Sequence, residues 1–168
     1  MKKTAEIIGL PVISISDGMK KGSVNGIIVN ADDRTINYIV VGAASQFLES
    51  KVIRSDKVVG VGEYALMVGD GSDVITIGDV PAAIALLEKT ITVINSKMLT
   101  EKGGKAGYVT EIVFDDEDGF RINGVEYRRT DSSQEVEYIP DKCVMTYGKN
   151  IVVVFDAYES FVESVKSS

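Results

Sequence analysis

The chain is 168 residues long, 45% hydrophobic and 26% charged, with a formal net charge of −7 and no histidine. That balance belongs to an ordinary globular protein, and an acidic surface repels nucleic-acid phosphates and anionic lipid heads. Without histidine the usual general base and the commonest metal ligand are missing, and the single cysteine, Cys143, can form neither an internal disulfide nor a thiolate zinc site.

Met1-Lys2-Lys3 is basic, but Glu6, Gly9 and Pro11 interrupt the residues after it, so the start does not read as a signal peptide. No apolar stretch approaches the length that spans a bilayer. The expectation is a soluble, cytoplasmic chain with no membrane span. Ile7–Ser14 predicts a first strand, with Pro11 favouring an edge or a bend. Ser16-Asp17-Gly18 is a turn, and Val24–Asn30 predicts a strand. After the turn Ala31-Asp32-Asp33-Arg34, alternation over Thr35–Val41 predicts the returning arm of a hairpin. Residues 42–51 read as a loop. Val52-Ile53, Val58–Val61, Tyr64–Val68 and Val74–Ile77 complete the first half. Asp79 then reads as an N-cap, Pro81 as a first-turn residue, and 81–89 as a short connecting helix. From Thr90 to Val154 the strand order repeats. The apolar residues Val154, Phe155, Tyr158, Phe161, Val162 and Val165 have helical spacing and predict a short amphipathic C-terminal helix.

The repeat is the most informative feature. Gly22, Val24 and Ile27 match Gly107, Val109 and Ile112. Ile53, Val58, Gly62 and Val68 match Ile139, Val144, Gly148 and Val154. The spacing differs by one residue between the two blocks, which puts one insertion in a loop. Two copies of this size predict a duplicated domain rather than a solenoid. The expected division is a first domain over 1–80, a linker helix over 81–89 and a second domain over 90–168. Short antiparallel strands in so small a half call for closure into a barrel, which covers their edges.

The Asp-Gly turn followed by Gly22-Ser23-Val24 and Ile27-Ile28-Val29-Asn30 resembles the PRC-barrel domain family, as does Val58-Val59-Gly60-Val61-Gly62-Glu63-Tyr64-Ala65-Leu66-Met67-Val68. The second copy keeps Gly107-Tyr108-Val109 and Gly148-Lys149-Asn150-Ile151, and Gly124-Val125-Glu126-Tyr127 is similar to a strand of tandem members. The resemblance implies a mainly β fold of two tandem six-stranded barrels. The family includes the cytoplasmic domain of the photosynthetic reaction-centre H subunit and the C-terminal domain of a ribosome-maturation factor. It implies a protein-interaction or adaptor role without chemistry of its own, through a protein partner or self-association.

No catalytic, cofactor or metal site is expected from the sequence, and four segments and the lone cysteine bear on that expectation. Gly60-Val61-Gly62-Glu63-Tyr64-Ala65 fits a dinucleotide fingerprint, but the following Leu66-Met67-Val68 reads as strand where the fingerprint needs a helix. Asp115-Asp116-Glu117-Asp118 could attract a cation but reads as a solvated hairpin turn. Arg128-Arg129 with Asp131, Glu135 and Glu137 reads as a mixed-charge loop, a solvated surface with weak ion pairs, with a partner-binding rim as the alternative. Tyr158, Phe161, Val162 and Val165 form a face that docks on the chain itself or on a partner. Cys143 reads as a partly buried structural thiol. The competing expectation is a regulatory protein that binds a small ligand or metal in the cleft between the copies. An enzyme is disfavoured by the missing histidine.

Overall fold

A computed structural model describes residues 1–42, 50–130 and 134–165. The fold is mainly β. In the first half the strands are β1 (Lys2–Lys3), β2 (Pro11–Ser14), β3 (Lys20–Asn30), β4 (Thr35–Val41), β5 (Lys51–Arg54), β6 (Val58–Val61), β7 (Leu66–Val68) and β8 (Ile75–Thr76). In the second half they are β9 (Lys97–Thr100), β10 (Lys105–Asp115), β11 (Arg121–Arg128), β12 (Val136–Pro140), β13 (Val144–Tyr147), β14 (Ile151–Val154) and β15 (Glu163–Val165). Among the described residues two α-helices, α1 (Thr4–Ile7) and α2 (Pro81–Glu88), lie before β2 and before β9. Most of the loop expected over 42–51, residues 43–49, falls outside the described residues.

The two halves carry the same order of pairings. In the first, β6, β7, β2, β3, β4 and β5 pair in that order, with the β7–β2 contact parallel. In the second, β13, β14, β9, β10, β11 and β12 do the same, with β14–β9 parallel. Even the irregularities correspond. One extra residue interrupts the ladder between Val12 and Ile13 opposite β3, and between Lys105 and Gly107 in β10. Others fall between Val24 and Gly26, as between Val109 and Glu111, and between Ile28 and Val29, as between Val113 and Phe114. A last pair lies in β6 and β13. Each bulge bends and twists its strand, which is how strands this short wrap round a core.

Gly22 and Gly107 sit at the first of these bulges with φ of +148° and +152°. A Cβ at Gly22 would lie 2.5 Å from Val41 Cγ1, and one at Gly107 would overlap the Arg128 carbonyl oxygen. Glycine is therefore required there both by conformation and by close approach. By contrast, Gly62 and Gly148 are not in the positive-φ region. Their amides close the β6–β7 and β13–β14 turns onto the Ala65 and Ile151 carbonyls.

Three expectations need correction. The six-strand paths are not closed: β5 does not pair with β6, nor β12 with β13, among the described residues. The halves also join in one continuous path, because β4 pairs with β11 at Thr35 and Arg121. That junction is like for like. The Ile36 amide donates to the Phe120 carbonyl at 2.9 Å, and the Ile122 amide donates to the Arg34 carbonyl at 3.0 Å. Arg34 and Phe120 hold the same place in their hairpins, both with positive φ. Second, the predicted strand over Ile7–Ser14 begins only at Pro11. Residues Thr4–Ile7 form one helical turn, with the Glu6 carboxylate accepting from the Lys3 amide. Third, the tail is not an amphipathic helix. Asp156–Phe161 is a 3-10 turn, and Glu163–Val165 pairs with β12. An isolated helix so short gains little on its own, whereas the open edge of β12 offers Val165 and its neighbours a ladder.

The helix over 81–89 is present as α2, but its N-cap is Val80 rather than Asp79, with no side-chain cap bond and Pro81 in the first turn. The largest cluster of buried side chains crosses between the halves, including Ile7, Val12, Ile39, Leu66, Ile112, Phe114, Val125 and Ile139. A smaller cluster of Ile28, Tyr38, Val52, Ile77 and Ala83 lies under α2.

Candidate interaction groove

Helix α2 follows from its sequence: Pro81 presets the first turn, and Ala82 to Leu87 are good helix formers. Ala83 is buried, and Ile84, Leu86 and Leu87 pack beside it over β3 and β4. Thr90, at φ +52°, follows the end of the helix, and residues 91–94 lead on to β9. Lys89 Nζ reaches Asp32 at 3.1 Å, which ties this corner to the β3–β4 turn. Between α2, residues 90–94 and the outer edge of β3 lies a groove of about 850 Å³ including its open mouth. Its lining includes Ile27, Leu86, Leu87, Ile91, Ile94 and Ile112. Three consecutive β3 residues, Ile27, Ile28 and Val29, reach it. Alternation sends successive side chains to opposite faces, so the groove runs along the strand's backbone edge rather than over one face.

The matching edge on the other half is occupied. Ile27, Ile28 and Val29 hold the ladder positions of Ile112, Val113 and Phe114. Along β10, Lys2 pairs with Phe114 and Lys3 with Val113. Thr4 Oγ1 donates to the Ile112 carbonyl at 3.3 Å and accepts from its amide at 3.2 Å. Lys3 Nζ reaches the buried Glu126 carboxylate at 2.8 Å. Along β3, residues 88–90 stand in the sequence place of 2–4, but they end a helix instead of adding a strand. Among the described residues no hydrogen bond runs from 88–94 to Ile27, Ile28 or Val29. Glu126 has Val40 as its counterpart, so the first-half slot is apolar where the second is charged.

The segments singled out in the sequence fall elsewhere. Gly60 to Ala65 lie in the β6–β7 hairpin, with strand on both sides and no helix. In the acidic turn, Asp115 Oδ1 accepts from the Glu117 amide at 3.0 Å, and Asp118 pairs with Arg121. Among the described residues no three metal-ligating side chains converge.

Arg129 is engaged rather than a free rim. Its Nε donates to Glu137 Oε1 at 2.9 Å, and Tyr127 Oη donates to Glu137 Oε2 at 2.7 Å. The Arg129 bond, assisted by the Tyr127 bond, holds the Glu137 carboxyl below the usual range against its partial burial. Burial pushes the Tyr127 phenol well up, with the Glu137 hydrogen bond adding to it. Tyr158 is buried and meets Tyr127 edge-on, with ring centroids 6.4 Å apart. Phe161 stays partly exposed beneath Lys142, 4.2 Å from its ring centroid. Cys143 is buried, and burial raises its thiol. Asp131 lies outside the described residues.

The sequence led to the expectation of a cleft between the copies but named none of the residues that line this groove. The available signal was the run Ala82 to Leu87, apolar round more of its circumference than a helix packed on one side needs, followed closely by Ile91 and Ile94. Arg34 carried no signal either. Its guanidinium donates to Asp141 Oδ1 and to the Asp141 and Met145 carbonyls across the junction.

No helix among the described residues is long and apolar enough to cross a membrane. Neither a protein-family model nor a curated protein matches this chain.

Proposed function

We propose that this chain is a non-enzymatic protein-interaction module of the PRC-barrel type. On this reading residues 1–80 and 90–168 are two tandem barrel-type units, each a six-strand path left open between its end strands among the described residues, joined by α2 and working in the cytoplasm. The repeated six-strand pairing order supports the barrel reading. The observation that carries the interaction reading is the open apolar groove along the β3 edge, whose counterpart on β10 already binds a strand. Recognition through a sheet edge is a common way for one protein to hold another.

A second reading, a regulator that binds a small apolar ligand between the halves, draws on the same groove, because Ile112 of the second half reaches it. Two experiments separate the readings. Immobilised chain is exposed to native lysate with cross-linking and mass spectrometry, and a thermal-shift screen is run with metabolites. The interaction reading expects one protein retained in near-stoichiometric amount across repeats. If no protein is retained while a metabolite raises the melting temperature by mass action, the ligand reading replaces it.

A further inference from the structure

The slot on β3, unfilled among the described residues, has a template within the same molecule. On β10 the occupant is extended, antiparallel and short: Lys2 and Lys3 pair with Phe114 and Val113. On β3 the ladder leaves the matching groups facing the groove. The Val24 amide and carbonyl are used outward, by Leu10 and Gly9. The Ile36 amide is used by Phe120 on the far side of β4, so its partner Val29 turns its own polar groups away from β4. Antiparallel alternation then assigns Ile27 the same direction as Val29. Two outward-facing backbone positions thus border a trough of Leu86, Leu87, Ile91 and Ile94.

We infer that this edge binds an extended apolar peptide segment of another protein by strand addition, antiparallel to β3, with one residue opposite Val29 and the next opposite Ile28. The proposal rests on the interaction reading above and names the chemistry of the partner. Two observations select a peptide over other occupants. Strand pairing is what the equivalent β10 edge does, so the backbone is already shaped for it. The side chain set opposite Ile28 would meet Val40 and Leu87, where Lys3 meets Glu126 on the other half. A branched apolar side chain fits that place, and a lysine would lose its hydration there without gaining a carboxylate. A second copy of this chain offering its own Lys2–Lys3 is therefore disfavoured by charge.

The probe is a capped peptide of sequence Lys-Thr-Val-Val-Thr-Lys, titrated into the full isotope-labelled chain by NMR. A second peptide carries an N-methyl group on the valine opposite Val29, which keeps the apolar side chain and removes the backbone donor. The expected result is saturable shifts of the Ile27 and Val29 amides at peptide concentrations up to about 1 mM, about tenfold weaker for the methylated peptide. Shifts that map to β10, or no shifts at all, overturn the proposal. Equal binding of both peptides also overturns it, because the groove would then be only an apolar ligand site. Protection of Ile27 that rises with protein concentration alone would assign the edge to a second copy. Retention of a lysate protein that survives Leu87→Glu would leave the interaction reading standing and reject this edge as its site.

Discussion

Replacing Gly107 with alanine tests the bulge geometry that shapes both halves. At φ +152° an L side chain is strained, at roughly 1–3 kcal/mol. The new Cβ also overlaps the Arg128 carbonyl oxygen and crowds the Tyr127 ring. Backbone cannot rotate away as a side chain can, so overpacking adds roughly 1–3 kcal/mol. The total is on the order of 4 kcal/mol. At Gly22 the obstacle is Val41 Cγ1, the end of a side chain, so Gly22→Ala should cost about 2 kcal/mol. Gly60 serves as control: it has no positive φ and nothing within 4 Å of an added Cβ. Gly60→Ala should stay within about 0.5 kcal/mol. Equilibrium urea unfolding reads all three. With a slope of about 2 kcal/mol per molar, the midpoints should fall by about 2 M, 1 M and hardly at all. Equal midpoints for Gly107→Ala and Gly60→Ala would refute the reasoning.

Thr4→Val should cost about 1–3 kcal/mol, because it leaves the buried Ile112 amide and carbonyl without their partner; the same urea titration measures it. Tyr158→Ala should cost about 3–5 kcal/mol by emptying the space against Tyr127, and truncation after Phe155 should lower the melting temperature while leaving the number of subunits read by light scattering unchanged. Glu137 has a depressed folded-state pKa, so its contribution is fully present above its unfolded value and is lost as pH falls through the folded one. Wild type should therefore lose stability faster than Glu137→Gln as urea midpoints are followed from neutral pH into the acid range, and parallel curves would count against the Arg129–Glu137 pair. Cys143→Ala should cost only about 1 kcal/mol and leave any partner interaction intact, as a small buried group with no other role would.

The regular parts of this fold were written in local patterns. Alternation over Thr35–Val41 and the acidic turns mark the hairpins, and Pro81 followed by small and straight-chain residues marks α2. The parts that escaped depend on contacts distant in sequence. A two-residue strand such as Lys2–Lys3 has no periodicity to read, and its place is set by Ile112 and Glu126 more than 100 residues away. The helical spacing from Tyr158 to Val165 lost to the free edge of β12. Gly62 and Gly148 recur as visibly as any pair in the repeat, yet conformation requires glycine at Gly22 and Gly107, where a bulge makes a close approach. The groove was illegible for the same reason that the repeat was visible. It lies where the copies differ, with Lys3 and Glu126 on one side and Lys89 and Val40 on the other, and no single segment records that difference.

Hydrogen exchange of individual amides in the free protein tests the unequal edges most directly. The Ile112 amide, bonded to Thr4 beneath the N-terminal strand, should be strongly protected, while the Ile27 amide, at the same ladder position but facing the open groove, should exchange orders of magnitude faster. Equal protection of the two would contradict an unfilled edge on β3, and with it the interaction site built on that edge.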